Sequence, residues 1–222
     1  MEGLQLTIPV NGGSVEAELS MPLGARAIVL FVHGSGSSHR SPRNQTVAAT
    51  LQEHGFATLL FDLYLPAEQT VPEPPFDLSH LTQRVLQVIA WVGEKAALKD
   101  LPLTLYGSSS GAAVAVQASV VCARALLAVV SRAGRVDLAF ESLASMRCPL
   151  LLLVGELDVD VLELNAWAES YLRTRHELRV IPGASHLFTE PGTLMLAAEE
   201  SAAWLERELE QHEHQSIPAD HF

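Results

Sequence analysis

Short, continuous apolar runs alternate with longer amphipathic segments along most of this chain. Continuous runs are typical of strands buried on both faces of a parallel sheet, whereas apolar residues spaced three and four apart indicate helices that pack on it. The runs predict strands at residues 26–32, 57–63, 101–106, 126–130, 149–154 and 177–181. The amphipathic segments predict helices at residues 48–54, 81–92, 112–123, 138–144, 162–172 and 193–211.

The N-terminal residues follow a different, alternating pattern. Residues 4–9 and 15–19 alternate apolar and polar positions on either side of the sequence Asn-Gly-Gly, which indicates a β-hairpin. A hairpin followed by strand–helix units predicts an α/β fold, in which helices cover both faces of a mostly parallel sheet. With no internal repeat and no dividing linker, residues 1–222 are predicted to form a single domain that ends in a polar, frayed tail at 212–222.

Residues 66–77 are the longest stretch without a regular pattern, and four of them are prolines. They follow the carboxyl end of a predicted strand, which is where ligands bind in parallel sheets. Two interpretations are equally supported: a proline-stiffened rim beside a binding site, or a plain connector.

Composition and charge narrow the classes of partner and compartment. Hydrophobic residues make up 48% of the 222 residues, which is enough for a sizeable core. The net charge of −12 disfavours nucleic acid and anionic membrane surfaces as partners. No apolar run reaches the length of a membrane span, and the N-terminus lacks the features of a secretory signal. Cys122 and Cys148 lie among apolar residues and are expected to be core thiols, so we predict a cytoplasmic protein.

Gly107, Ser109 and Gly111 form a G-x-S-x-G motif between a predicted strand and a predicted helix. In this motif the serine takes a strained conformation in a sharp turn, and side chains two residues before or after it would collide. The turn exposes the serine hydroxyl and aims the first N–H groups of the helix at the group that is attacked. Ser109 is therefore predicted to be a nucleophile, whereas Ser108 and Ser110 lack glycine at both flanking positions.

A nucleophilic serine needs a base, and position along the chain selects His186 among nine histidines. His186 follows the strand predicted at 177–181, so it is expected at the same edge of the sheet as Ser109. Three other histidines are predicted on helices or at the amino end of a strand, far from this edge: His54, His80 and His176.

The acid that orients the base is expected after the strand predicted at 149–154, where Glu156, Asp158 and Asp160 occur. Glu156 is too close to the strand, and Asp160 is expected to cap a helix that starts near residue 161. Asp158 is therefore favoured, with Asp160 as the alternative. The chain order Ser, Asp, His is the one found with strand-turn-helix nucleophiles.

A loop rich in glycine and serine follows the first buried strand and begins with His33. Its glycines, Gly34 and Gly36, let the backbone approach a ligand closely. The N–H of Ser35 and the N–H of Ser110 are therefore the predicted donors of an oxyanion hole. His33 is expected to brace the loop rather than to catalyse.

Arginines in the predicted loops near this edge could contact a substrate: Arg40, Arg43, Arg132 and Arg135. Arg40 and Arg132 are the candidates for the rim of the substrate site. Solvated surface charge is at least as good an interpretation of each of the four.

From residue 26 onward the chain resembles the α/β-hydrolase superfamily through four motifs in order: His-Gly-Ser-Gly-Ser-Ser, Gly-Ser-Ser-Ser-Gly, Gly-Glu-Leu-Asp and Gly-Ala-Ser-His. Because no helical cap interrupts the strands, it looks most like the dienelactone hydrolase-like branch. The resemblance implies a three-layer sandwich around an eight-stranded sheet whose second strand is antiparallel. It also implies a Ser-His-Asp triad at Ser109, His186 and Asp158.

The chain departs from true dienelactone hydrolases in two ways. Those enzymes have a cysteine nucleophile where this chain has Ser109, and they hold the substrate carboxylate with arginines, one of them shortly after the catalytic histidine. Here Leu187, Phe188 and Thr189 follow His186. Dienelactone itself is therefore not the expected substrate.

These features together predict a serine hydrolase that cleaves carboxylic esters through an acyl-enzyme, with no metal and no other cofactor. A small-molecule ester is the expected partner, and an open, shallow pocket without a cap should favour short acyl groups. Alternatives on the same triad are thioester hydrolysis, acyl transfer and lactone hydrolysis. An alternative of another class is a hydrolase-like protein that binds without turnover. The sequence leaves open whether the protein is a monomer or a homodimer.

Overall fold

The computed structural model of the chain describes residues 3–70 and 76–216. Within these ranges eight strands form one sheet: β1 (Leu4–Val10), β2 (Gly13–Ser20), β3 (Ala27–Val32), β4 (Phe56–Phe61), β5 (Leu103–Ser108), β6 (Ala128–Arg132), β7 (Leu150–Gly155) and β8 (His176–Ile181). Their order across the sheet is β1-β2-β4-β3-β5-β6-β7-β8. β2 is antiparallel to β1 and to β4, and the other pairs are parallel. The predicted N-terminal hairpin and mostly parallel sheet are confirmed.

The central strands are apolar throughout because both of their faces are covered. In β3, Leu30 and Val32 enter the core on one face of the sheet, whereas Val29 and Phe31 enter the core on the other. Successive side chains of a strand point to opposite faces, so a strand covered on both sides is apolar at every position.

Helices form the outer layers on the two faces of the sheet. Their bounds in the described ranges are α1 (Pro42–Glu53), α2 (Leu78–Glu94), α3 (Ser110–Val121), α4 (Phe140–Leu143), α5 (Val159–Glu169) and α6 (Thr193–Ser216). α1 and α6 share one core, which contains Leu51 and Trp204, and α2 and α3 contribute Val85 and Val114 to the other. The predicted three-layer sandwich is confirmed. No helix in residues 3–70 and 76–216 is long and apolar enough to cross a membrane.

Helix α1 starts earlier than its apolar pattern indicates, at Pro42 rather than at residue 48. The side chain of Ser41 accepts a hydrogen bond from the N–H of Asn44 (3.4 Å), and Pro42 occupies the first turn. Serine is a favourable N-cap residue and proline fits the first helical position. The Ser-Pro pair is therefore the start signal that the apolar pattern alone does not contain.

Helix α6 ends later than predicted. It continues to Ser216 instead of ending at residue 211, and whether the tail is frayed stays a prediction. The guanidinium of Arg26 forms an ion pair with the carboxylate of Glu213 (2.6 Å), which ties the last turns of the helix to the start of β3. Residues 217–222 lie outside the described residues, and the division of the whole chain into one domain stays a prediction.

The proline-containing stretch at 66–77 is described only in part. A short 3₁₀ turn spans Glu68–Thr70, and residues 71–75 lie outside the described residues. At the end of the stretch the carboxylate of Asp77 accepts a hydrogen bond from the N–H of His80 (2.9 Å) and caps α2. Whether the stretch is a rim or a connector stays an open prediction.

The two cysteines are unpaired thiols in different surroundings. Cys148 is buried, and burial raises the pKa of its thiol to about 11. Cys122 is half-buried and packs against the edge of the same core. The expectation of a core thiol therefore holds for Cys148, and Cys122 lies at the margin of the core.

His54 links the two helices on one face of the sheet. It caps the C-terminus of α1, and its ring contacts the carboxylates of Glu206 (2.9 Å) and Glu199 (3.2 Å) in α6. Hydrogen bonding to Glu206 raises the pKa of His54 above its ordinary value. Because the folded state then holds the proton more tightly, this contribution to stability is fully present below about pH 6.5 and is lost as the pH rises through the folded-state pKa.

We expect the His54→Gln substitution to lower the free energy of unfolding by up to about 1 kcal/mol at about pH 6, and by less at about pH 9. Urea denaturation at the two pH values measures the difference. In a background that carries Glu199→Gln and Glu206→Gln, the pH dependence of the substitution should shrink. An effect of equal size at both pH values in the natural background would contradict the ion-pair explanation.

Candidate active site

The turn between β5 and α3 places the side chain of Ser109 at the carboxyl edge of the sheet. Ser109 has φ 52° and ψ −127°, a conformation that residues other than glycine rarely adopt. Its N–H donates to the carbonyl of Arg132 (3.1 Å), at the end of the neighbouring strand β6. The strained backbone is therefore held in place by the sheet itself.

Both glycines of the motif are required by close contacts with the backbone. A Cβ atom on Gly107 would lie 2.4 Å from the Cα of Ala112, in the first turn of α3. A Cβ atom on Gly111 would lie 2.2 Å from the carbonyl oxygen of Val32, at the end of β3. The predicted steric reason for the two glycines is confirmed, and the structure identifies the atoms involved.

Ser109, His186 and Asp158 form a continuous row of side chains. The Oγ of Ser109 lies 3.3 Å from the Nε2 of His186, and the Nδ1 of His186 lies 2.6 Å from the Oδ2 of Asp158. A carboxylate accepts the Nδ1 proton, which leaves Nε2 free to accept the proton of the serine hydroxyl. The row joins one predicted nucleophile, one predicted base and the favoured acid.

The loop after β7 separates the three carboxylates that the sequence offers. Asp158 is the N-cap residue of α5, but its side chain makes no capping hydrogen bond and reaches His186 instead. Asp160 was expected to cap this helix; α5 begins at Val159, so Asp160 lies inside its first turn. The carboxylate of Glu156 accepts a hydrogen bond from the N–H of Gly183 (2.8 Å), in the turn after β8.

Two residues that the sequence analysis did not select hold the segment that carries His186. The carboxylate of Glu190 accepts a hydrogen bond from the N–H of Ser185 (2.9 Å), and this bond lowers the pKa of Glu190. Gly155 lets the segment approach β7, because a Cβ atom there would lie 2.2 Å from the carbonyl oxygen of Ala184. The glycine of the Gly-Glu-Leu-Asp motif was the available signal for this contact.

His33 braces the loop that faces the nucleophile, as expected. Its Nε2 accepts a hydrogen bond from the N–H of Leu63 (2.9 Å), and its Nδ1 lies 2.9 Å from the carbonyl oxygen of Gly34. Nδ1 must therefore carry the proton, and burial lowers the pKa of His33. A Cβ atom on Gly34 would lie 3.0 Å from the Cβ of Ser109, so the braced loop lies directly against the nucleophile.

The two predicted oxyanion donors are close together, but one of them is engaged. The N–H of Ser35 donates to the Oγ of Ser110 (3.0 Å), and the two hydroxyl groups also lie 3.0 Å apart. Ser110 is the first residue of α3, where no carbonyl of the same helix can accept its N–H. The N–H of Ser35 can therefore bind the carbonyl oxygen of a substrate only by sharing its hydrogen bond with the Oγ of Ser110 or by leaving that Oγ.

A cleft of about 230 Å³ lies beside Ser109 and His186, and two of the four candidate arginines line it. Its lining includes Arg43 and Arg132, and also Gly34, Ser35, Asn44, Ser109, His186 and Leu187. Arg132 is buried at the end of β6 instead of lying in a loop as predicted. Arg40 and Gly36 are exposed and do not line the cleft, and Arg40 contacts His39 instead.

A larger hollow of about 390 Å³ lies near the amino ends of the strands, around Cys148 and Arg147, away from Ser109. Chemistry rather than size therefore identifies the candidate site. Across residues 3–70 and 76–216, no group of three or more His, Cys, Asp or Glu side chains is arranged to hold a metal ion.

A family profile described as an α/β-hydrolase domain matches residues 25–212, which is most of the chain. The chain belongs to the α/β-hydrolase family. A dienelactone hydrolase from Anabaena variabilis is 37% identical to it and superimposes with a TM-score of 0.89 over 93% of this chain and 97% of that one. The resemblance to the dienelactone hydrolase-like branch is confirmed.

More distant solved structures share the fold of this α/β-hydrolase domain. A serine hydrolase homologue from Coxiella burnetii is 22% identical, with a TM-score of 0.77 over 92% of this chain and 98% of that one. Est1E from Butyrivibrio proteoclasticus is 16% identical, with a TM-score of 0.80 over 92% and 98%. At these identities the likeness shows the fold alone.

Two Mycobacterium tuberculosis proteins, one from each of two strains, are 44% identical to this chain over 197 residues. Both are named "putative phosphoribosyl transferase". The match covers 89% of this chain and 43% of theirs, so the α/β-hydrolase domain spans less than half the length of these relatives.

Proposed function

We propose that this α/β-hydrolase is a serine hydrolase that cleaves carboxylic esters through an acyl-enzyme. The observation that carries the proposal is the row from Ser109 Oγ to His186 Nε2 (3.3 Å) and from His186 Nδ1 to Asp158 Oδ2 (2.6 Å). A hydroxyl, an imidazole and a carboxylate in this order can generate a nucleophile at neutral pH.

In the first half of the reaction His186 takes the proton of Ser109 as the Oγ attacks the ester carbonyl. The negative charge on the carbonyl oxygen is stabilised by the N–H groups of Ser110 and Ser35. The N–H of Ser35 leaves the Oγ of Ser110 and donates its hydrogen bond to the oxyanion instead. His186 then gives its proton to the departing alcohol. Water, activated by the same imidazole, releases the acid, and Asp158 keeps the Nδ1 proton in place throughout.

We propose that the enzyme prefers substrates with short acyl groups, because the cleft is small. Its volume of about 230 Å³ is below the roughly 300–1,000 Å³ typical of pockets for drug-sized ligands.

Thioester hydrolysis, acyl transfer and lactone hydrolysis use the same row of side chains and remain alternatives. We do not propose phosphoribosyl transfer, the activity in the name of the longer relatives, for this chain. The side chains that support a function here are a serine, a histidine and an aspartate, which attack acyl groups. The unpaired thiols of Cys122 and Cys148 support a cytoplasmic location as part of the proposal.

A fluorophosphonate probe and an ester series test the proposal together. We expect the probe to attach to Ser109, as identified by mass spectrometry of the labelled peptide. We also expect kcat/KM to be higher for 4-nitrophenyl acetate and butanoate than for the dodecanoate. Preference for the dodecanoate would overturn the short-chain part. Absence of both labelling and turnover in folded protein would favour a protein that binds without catalysis.

A further inference from the structure

The segment that carries Ser35 needs an attachment other than its contact with α3. In the structure the N–H of Ser35 lies 3.0 Å from the Oγ of Ser110, and in the proposed reaction it leaves that oxygen for the oxyanion. Whatever holds the segment must therefore persist while this hydrogen bond is exchanged. We call residues 33–41, which lead from β3 to α1, the oxyanion loop.

Two histidines attach the oxyanion loop to the residues that follow β4. At the start of the loop, the Nε2 of His33 accepts the N–H of Leu63 (2.9 Å). Near its end, His39 binds Asp62 twice, because its N–H (2.7 Å) and its Nδ1 (2.9 Å) both contact the same oxygen, Oδ1. The loop is therefore fixed on both sides of Ser35 to two adjacent residues.

The hydrogen bonds of His39 define where its proton lies. The Nε of Arg40 can only donate, and it lies 3.3 Å from the Nε2 of His39. Nε2 is therefore the acceptor, and Nδ1 carries the proton that is donated to Asp62. Both side chains of the pair are buried, at 4% and 6% exposure, and neither lines the cleft. The pair is thus placed to hold the loop rather than to transfer a proton to a substrate.

Asp62 is itself held by the sheet. It directly follows β4, and its N–H donates to the carbonyl of Glu16 in β2 (2.9 Å). Ser37 and Ser41, two residues before and two after His39, line the cleft. This part of the cleft wall is therefore connected through His39 to a carboxylate whose backbone belongs to the sheet.

We propose that Asp62 and His39 are positioning residues of the active site, which hold the oxyanion loop so that the N–H of Ser35 meets the developing negative charge. An oxyanion donor is effective when it is already aimed at the place where that charge forms. Hydrogen bonds to a buried carboxylate are directional, so they fix the backbone of His39 more narrowly than apolar contacts would. Because the inference concerns how the proposed esterase stabilises its transition state, it rests on the proposed function.

Two pairs of substitutions separate hydrogen bonding from packing. Asp62→Asn keeps an acceptor at Oδ1 and His39→Asn keeps a donor near the position of Nδ1, whereas Asp62→Leu and His39→Phe keep the volume and lose the hydrogen bond. We expect kcat for 4-nitrophenyl butanoate to fall at least about tenfold in Asp62→Leu and His39→Phe, and to stay within about threefold in Asp62→Asn and His39→Asn. KM should stay unchanged, because the oxyanion forms only after the substrate has bound.

Leu209→Ala is the control for a loss of stability alone. Leu209 is buried in α6, one turn before Glu213, which pairs with Arg26 at the edge of the sheet opposite to Ser109. The cavity that this substitution creates should lower the urea midpoint and leave kcat unchanged. Equal kcat values in folded His39→Asn and His39→Phe would overturn the inference, because packing and not the hydrogen bond would then matter.

Hydrogen exchange of the oxyanion loop tests the inference without turnover. Mass spectrometry after short labelling times should show faster exchange of the peptide containing residues 33–41 in Asp62→Leu and His39→Phe than in the natural protein and in Leu209→Ala. Unchanged exchange in folded His39→Phe would overturn the inference, whether or not esters are cleaved. Faster exchange in a protein that cleaves no ester would support the positioning of the loop, and the proposed esterase function would fail.

Discussion

Replacing Ser109 by alanine is expected to lower kcat/KM for short-chain esters by at least about 10⁴-fold. The substitution removes the hydroxyl that lies 3.3 Å from the Nε2 of His186, so no acyl-enzyme can form. The oxyanion donors and the cleft remain, which leaves a residual acceleration of roughly 10³–10⁴-fold over the reaction in water. Initial rates with 4-nitrophenyl acetate, corrected for spontaneous hydrolysis, measure the loss.

Ser108→Ala is the matched control because it removes a neighbouring hydroxyl from the same serine triplet. His186 bonds to Ser109 and not to Ser108, so this variant should keep its activity within about tenfold and its labelling by a fluorophosphonate. Both variants should unfold at urea concentrations close to that of the natural protein. If Ser109→Ala retained most of its activity while folded, the nucleophile would have to be another group.

Replacing Gly111 by alanine is expected to lower the free energy of unfolding by at least about 3 kcal/mol. The new Cβ atom would lie 2.2 Å from the carbonyl oxygen of Val32 and 2.5 Å from that of His33. Both neighbours are backbone atoms at the end of the central strand β3, and they cannot move aside as a flexible side chain could. Urea denaturation followed by tryptophan fluorescence measures the change, since Trp204 is buried in the core.

Gly93→Ala, near the end of α2, is the control for adding a methyl group at a glycine. An added Cβ atom there meets no atom within 4 Å, and alanine is the better helix former. The variant should match the natural protein or exceed its stability by up to about 1 kcal/mol. Equal destabilisation by Gly93→Ala and Gly111→Ala would show that the contact with β3 is not the cause.

The Gly111 contact also connects stability with the chemistry of the site. The carbonyl of Val32 marks the point where β3 leads into the loop that carries Ser35. A shift of α3 away from this point would move the N–H of Ser110 and the loop relative to Ser109. We therefore expect the part of the Gly111→Ala protein that folds to have a lower kcat, as the oxyanion donors are the groups displaced.

The sequence by itself determined the strand–helix alternation, the mostly parallel sheet and two of the three residues in the row, Ser109 and His186. Apolar periodicity and the steric limits of G-x-S-x-G act over a few residues, so they can be interpreted without knowing the rest of the fold. His186 could be selected because the carboxyl ends of parallel strands share one edge. Asp158 needed the structure to separate it from Asp160, since the two differ by half a helical turn.

Only the tertiary structure decided which polar groups in the cleft are already satisfied. The sequence could not show that the hydroxyl of Ser110 engages the N–H of Ser35, or that Arg135 pairs with Asp137 while Arg132 has no carboxylate. Arg132 meets Asn44 across 88 residues of sequence, and such contacts depend on how helices and strands pack rather than on local pattern. Local rules place a residue at an edge of the sheet, but hydrogen bonding and burial there are set by segments distant in the chain.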